Sequence, residues 1–374
     1  MTAHRDNPAS PGGERRRLLL KHATLGLGAL AAGPVAGFAH AIAADEPFWF
    51  GFIGDTPYSR LEENALHKVL DALSVEPLEF VLHVGDIKSS GETCGDELLA
   101  SRLALFGECA HPLILTPGDN DWTDCNRSLG PWQPGGRLER LDWLRRHAYG
   151  SPRSLGMRTM ALQQQGRHIA QPIAAAREPA ALVGARPAKP SGAAIGAHAP
   201  EALQAPGLPE NLRWRVGSLQ FCTLHVVGSN NAPRNSPELA SAWLLRQEAN
   251  GAWLNETVEM AIRQQAKGLA IALHANMRFE DDRSDGWERM RQLIIAAAVA
   301  FKGPVLLLHG DTHHFRTDRL LLRSHGLANF QRVECFGSPF SSSWVQIRWN
   351  PALASAESMS RGSSPFQVST RSLP

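Results

Sequence analysis

Three times in the first third of the chain a short apolar run stops at a Gly-Asp pair: FGFIGD ending at Asp55, LHVGD ending at Asp86, and LTPGD ending at Asp119. Runs of Val, Ile, Leu and Phe this short have the length of buried strands, and each opens into a polar loop. Between the first two, Leu61, Ala65, Leu66, Val69, Leu70 and Leu73 keep helical spacing, so the unit reads β-α-β with its strands parallel. A chain built this way is α/β. It delivers three carboxylates to the carboxyl ends of neighbouring strands, where open α/β sheets place their ligands. Clustered carboxylates repel one another unless a cation joins them, so the pattern points to a metal site.

The remaining chain extends the alternation. Leu98 to Phe106 and Leu138 to Ala148 have helical spacing, with a strand over Pro112 to Thr116 between them. Leu212 to Val216 and Leu219 to Val227 read as a hairpin around Gly217-Ser218. A long helix is expected over Ser241 to Ala266, interrupted near Gly251, then a strand ending at His274 and a helix over Arg289 to Phe301. A strand over Val305 to Leu308 runs into HGDTHHF, and Val333 to Phe336 and Trp344 to Trp349 are expected as closing antiparallel strands. Residues 44–350 are thus expected to form one domain. Residues 171–209, rich in Ala, Pro and Gly, read as a flexible insertion, with a lid as the alternative. The Ser-rich residues 351–374 read as a disordered tail.

Charge and cysteine content bear on compartment. Residues 1–43 carry five basic and two acidic side chains, so the formal charge of +2 for the whole chain leaves the rest near −1. No polyanion-binding surface is expected. RRRLLLK followed by a Gly- and Ala-rich run and Ala-His-Ala or Ala-Ile-Ala reads as an export signal rather than a stable membrane span. Its Arg16-Arg17-Leu18-Leu19-Leu20-Lys21 resembles a twin-arginine signal, which implies passage through the twin-arginine machinery to a periplasmic or extracellular location. Five cysteines cannot all pair. Cys94 follows the Asp86 loop and Cys125 follows the Asp119 loop, so Cys94–Cys125 is the preferred disulfide if those loops are neighbours.

The strand ends together present Asp55, Asp86, Asp119 with Asn120, His274, and Asp311 with His313. Carboxylates and imidazoles without thiolate suit Mn, Fe or Zn, and Asp86 has the chemistry to bridge two such ions. His83 and His309, just ahead of Asp86 and Asp311, are candidates for orienting those ligands. Asn231 and His314 are candidates for contacting the substrate or a leaving group. No G-x-S-x-G elbow, HExxH pair or P-loop competes.

The order of these motifs resembles the calcineurin-like metallophosphoesterases, whose signature runs D-x-H, G-D-x-x-x-x-G, G-N-H-[DE], a later His, and G-H-x-H. The counterparts are Asp55-Thr56-Pro57, Gly85-Asp86 through Gly91, Gly118-Asp119-Asn120-Asp121, His274, and Gly310-Asp311-Thr312-His313. The resemblance implies a four-layer α/β/β/α sandwich, two divalent metal ions, and hydrolysis of a small phosphate ester by metal-activated water. It makes Asn120 the counterpart of the family's catalytic His. A shifted alignment instead makes Asn120 a ligand and Asp121 the catalytic group. Pro57 brings no ligating side chain, so the site beside Asp55 either lacks a ligand or recruits Tyr58 or water. These departures leave open a second reading, a degenerate member that binds a metal or phosphorylated ligand without efficient turnover.

Overall fold

The computed structural model describes residues 43, 45–126, 136–167, 207–281 and 285–373. The chain divides into residues 1–40 and residues 41–374, and the described elements belong to the second unit. The expected signal and nearly all of the Ala/Pro/Gly-rich insertion lie outside the described residues. The last residues of that insertion are packed: Leu208 is buried, and Gly207 lies against Gly166.

Among the described residues, twelve strands form two sheets. The first contains β1 (Phe48–Ile53), β2 (Leu78–His83), β3 (Leu113–Leu115), β11 (Ser343–Trp349) and β12 (Phe366–Ser372), in the order β12-β11-β1-β2-β3. The second contains β4 (Gln163–Gln164), β5 (Leu212–Val216), β6 (Leu219–Thr223), β7 (Gly268–Ala272), β8 (Val305–His309), β9 (Arg316–Asp318) and β10 (Phe330–Glu334), in the order β4-β5-β6-β7-β8-β10-β9. β1, β2 and β3 are parallel, as are β6, β7, β8 and β10; the outer strands are antiparallel.

The inner faces of the sheets meet in an aromatic cluster. Phe50 of β1 stacks on Phe80 of β2 at 5.1 Å, and Phe221 of β6 sets its edge against both. Trp214 of β5 stacks on Phe221 at 5.0 Å. Such pairs contribute about 0.5–1.5 kcal/mol each beyond area burial, and here they bind one sheet to the other.

Helices cover the outer faces. Arg60–Ser74 starts where Ser59 accepts a hydrogen bond from the Glu62 amide, and it buries Leu66, Val69, Leu70 and Leu73. Each of those leucines and valines stabilises the fold by about 2 kcal/mol. On the second sheet, Pro237–Arg263 begins with Ser236 as cap and Pro237 in its first turn. It runs unbroken through Gly251, where a Cβ would press to 3.2 Å from Leu293 of the helix Glu288–Phe301. The glycine therefore permits close helix packing rather than interrupting the helix. Two mixed sheets between helices match the expected α/β/β/α class.

Two further expectations need correction. β10 runs parallel to β8, not antiparallel, because the connection through β9 and Leu321–His325 is long enough to return the chain in the same direction. The expected disordered tail instead pairs Phe366–Ser372 with the whole of β11, and Phe366 packs on Trp349 at 5.1 Å. Ser369 donates to the Gln346 carbonyl, Ser372 pairs with Ser343, and the buried Phe366 anchors the strand.

Candidate metal centre

The parallel strands of both sheets end on one side, and their following loops bring the expected ligands together. Asp55 follows β1, Asp86 follows β2, Asp119 follows β3, His274 follows β7, and Asp311 and His313 follow β8. Donor atoms of Asp55, Asp86 and His274 all lie within 4.8 Å of one another, as do those of Asp119, His274 and Asp311.

The imidazoles are set for ligation. His274 Nδ1 donates to the Val84 carbonyl at 2.8 Å, which turns Nε2 toward Asp119 Oδ1 at 3.0 Å, Asp86 Oδ1 at 3.5 Å and Asp311 Oδ1 at 4.0 Å. His313 Nδ1 donates to the Ser338 carbonyl at 2.7 Å, and its Nε2 faces Asp55 Oδ1 at 3.7 Å and Tyr58 Oη at 3.3 Å. A ring fixed through one nitrogen offers the lone pair of the other. Asp86 belongs to the first group and His274 to both: Asp86 Oδ1 faces His274 at 3.5 Å, and its Oδ2 accepts from Tyr58 Oη at 2.8 Å and Asn120 Nδ2 at 2.6 Å.

Charge makes the same point. Burial pushes Asp55 up to about 8 and Asp311 up to about 6, and raises Asp86 well above the carboxylate range. Burial pulls His274 down, but Asp86, Asp119, Asp55 and Asp311 outweigh it and raise the imidazole well above its ordinary value. Burial also raises Asp119, yet the His274 hydrogen bond and charge and the Ser229 hydroxyl hold it low. Left to the protein's own charges, four buried carboxylates share one imidazolium. A cation at that point relieves the repulsion, and the donor set fits a first-row ion.

The backbone is bent to make the cluster. Asp55, Asp86, Asp311 and His313 have φ of 51°, 58°, 82° and 65°, and residues 229–232 are all left-handed. Such residues cost about 1–3 kcal/mol each, so the surrounding fold must hold them. Glycine makes room in two places. A Cβ on Gly228 would stand 2.6 Å from Asp311 Oδ1 and 2.7 Å from Asp119 Oδ1, and one on Gly310 would collide with Asp55 Oδ2.

Other expected residues are placed differently. Asn120 is in the cluster, bonded to Asp86 and to Tyr58 Oη. Asp121, a catalytic candidate, is turned away: its carboxylate accepts from the amides of Asp86, Ile87 and Gly118, tying two ligand loops together. Asn231, a substrate-contact candidate, is fully buried and bonded to Gln247, Gly286 and Arg246. His314 is exposed and pairs with the Thr312 carbonyl rather than the cluster.

His83 accepts from the Gly85 amide through Nδ1 and donates from Nε2 to the Thr56 carbonyl, so it fixes the chain beside Asp55 and Asp86. His309 donates to the Gly310 carbonyl. Burial pulls these two down to about 4 and about 3, which keeps both neutral. Cys94 and Cys125 are bonded, with Cα atoms 5.5 Å apart.

Two partners escaped sequence reasoning. Ser229 Oγ donates to Asp119 Oδ2 at 2.6 Å, and the Asn276 amide donates to Asp311 Oδ2 at 2.9 Å. The polar GSNN stretch after β6 was the signal for the first; a backbone amide leaves no signal in sequence.

A cleft of about 720 Å³ adjoins the cluster, lined in part by Ser229, Asn230, Asn276, Arg278, Trp287 and Asp311. A larger one, about 840 Å³, lies over the start of the helix Asp96–Gly107, away from the cluster. There Arg102 and Arg140 are paired with Glu63, Glu92, Asp96 and Glu139. Of these two clefts, the smaller is the one that adjoins the cluster. Among the described residues no helix is long and apolar enough to cross a membrane.

No family model matches the sequence, and no curated protein does. Solved structures do align with it. A dimetal phosphatase from Danio rerio is 12% identical over 81% of this chain and 93% of its own, with a TM-score of 0.42. A Thermus thermophilus protein, TT1561, is 9% identical over 87% and 99%, with a TM-score of 0.41. A purple acid phosphatase from yellow lupin seeds is 11% identical over 88% of this chain and 54% of its own, with a TM-score of 0.38.

Proposed function

We propose that this protein is a metal-dependent phosphoesterase that acts on a small phosphate ester after export. The observation that carries the reading is the convergence of Asp55, Asp86, Asp119, His274, Asp311 and His313, from the ends of strands in both sheets, around two groups of donors. Two divalent ions held there supply Lewis-acid stabilisation of a phosphoryl group and a nucleophile drawn from water, with Mn, Fe and Zn the candidates.

The chain's own residues supply position. His274 belongs to both groups, and Asp121 locks the Asp86 and Asp119 loops in register through three amides. Asn120 offers an N–H from the cluster but no titratable proton. The adjoining cleft, lined by the exposed Arg278 and also by Asp281 and Asp285, leaves room for the ester. Export is supported by the Arg16-Arg17 segment and by the Cys94–Cys125 bond, which suits an oxidising compartment.

Asn120 favours one alternative, a protein that binds a phosphorylated ligand without efficient turnover, because general acid catalysis contributes about a hundredfold to ten-thousandfold where it operates. The test is hydrolysis of an aryl phosphate monoester and diester by stripped protein reloaded with Mn, Fe or Zn, beside Asp86→Asn. Metal-dependent turnover that disappears in the variant supports the enzyme. A folded, metal-loaded protein that hydrolyses neither ester moves the assignment to binding.

A further inference from the structure

Pro57 stands two residues after Asp55 and offers no donor, but the next side chain turns into the cluster. Tyr58 Oη lies 2.8 Å from Asp86 Oδ2 and 3.3 Å from His313 Nε2, and that nitrogen is 3.7 Å from Asp55 Oδ1. Adjacent donors around one ion, each bonded at about 2.0–2.2 Å, stand about 3 Å apart. The three spacings are those of neighbouring corners of one coordination shell, in need of small closure at the Asp55 edge. The ring is also held in place, edge-on to His313 with centroids 5.3 Å apart, and its hydroxyl accepts from Asn120 Nδ2 at 3.1 Å.

We propose that Tyr58 Oη is a ligand of the cation held by Asp55, Asp86 and His313, filling the coordination position that Pro57 cannot. The inference rests on the metal-centre reading above. On coordination the phenolic proton passes to solvent, and the bond to the ion replaces the hydrogen bond to Asp86. The competing role is a phenol that stays protonated and only donates to Asp86.

The composition makes the test unambiguous, because the chain has two tyrosines, and Tyr149 is buried with its hydroxyl directed to the Leu115 carbonyl. The full chain is stripped, loaded with ferric iron, assayed for bound iron, and read by visible absorption and resonance Raman scattering. A phenolate on ferric iron gives a charge-transfer band and ring modes that carboxylate and imidazole ligands do not. The band should appear in the unaltered protein, persist in Tyr149→Phe, and be lost in Tyr58→Phe, with iron affinity at that position falling by about tenfold or more. Tyr58→His should keep the iron and lose the band, which separates ligation from folding. Iron bound to the unaltered protein without the band overturns the role of Tyr58 and leaves the metal centre standing. Failure to bind iron, manganese or zinc at all overturns both.

Discussion

His274 belongs to both groups of donors, whereas His313 faces only Asp55 and Tyr58, so the two imidazoles should differ in how many ions they govern. The perturbations are His274→Gln and His313→Gln, compared with the unaltered chain after chelation and after metal addition. An ion present at a hundred times its dissociation constant stabilises the folded state by about 2.7 kcal/mol, so two ions add about 5 kcal/mol. For a chain of this size about 1 kcal/mol moves the melting midpoint by roughly 2 °C, giving a rise of about 10 °C. His313→Gln should keep about half of that rise and bind one ion fewer, whereas His274→Gln should lose most of the rise and weaken both sites. Differential scanning fluorimetry gives the shift, and elemental analysis gives the stoichiometry. If both variants keep the full shift and the full metal content, the ions bind elsewhere and the two-group assignment is wrong.

Further outcomes can be checked on the same preparations. Ser229→Ala removes the hydroxyl that donates to Asp119 and should weaken metal binding by about tenfold in calorimetric titration, with the melting point of the stripped protein little changed. Asn120→His should raise kcat by about a hundredfold if position 120 faces the leaving group, and unchanged turnover would count against that placement. Phe366→Ala should cost about 3–5 kcal/mol in denaturant unfolding, whereas a residue in a free tail would cost nothing measurable. Burial lowers His83 and His225 from 6.5 to about 4, so the folded state binds fewer protons than the unfolded chain between those values. Their contribution, on the order of 3 kcal/mol each, is full above pH 6.5 and declines as pH falls toward 4. Glu210 is drawn toward lower pH despite burial by the His225 hydrogen bond and charge and by Arg145; at about 2 it loses its contribution only below pH 4.5. Urea midpoints that stay flat from pH 7 to pH 4 would contradict the neutral buried histidines.

Much of the candidate site was legible because its donor residues follow strands. A buried strand in a parallel sheet is a continuous apolar run, and the residue after it must emerge at the sheet edge, so Asp55, Asp86, Asp119, His274 and Asp311 announced themselves by position. The same logic located the layers, since helical spacing between such runs forces crossovers onto the outer faces. Orientation was not legible. Asp121 sits beside Asp119 and Asn120 in sequence, yet three backbone amides draw its carboxylate inward. Asn231 and His314 occupy loops that reach the site while their side chains face the core and the solvent.

The sequence by itself determined the α/β class, the strand ends and the donor types, because burial and period act within a few residues. Only the tertiary structure decided which donors meet, because their distances depend on how two sheets pack through Phe50, Phe80, Trp214 and Phe221. It also decided that β10 returns parallel to β8, that Phe366–Ser372 closes the first sheet, and that Tyr58 turns its oxygen toward Asp86 and His313. Each of these rests on contacts between residues far apart in the chain, whose energies no local pattern encodes.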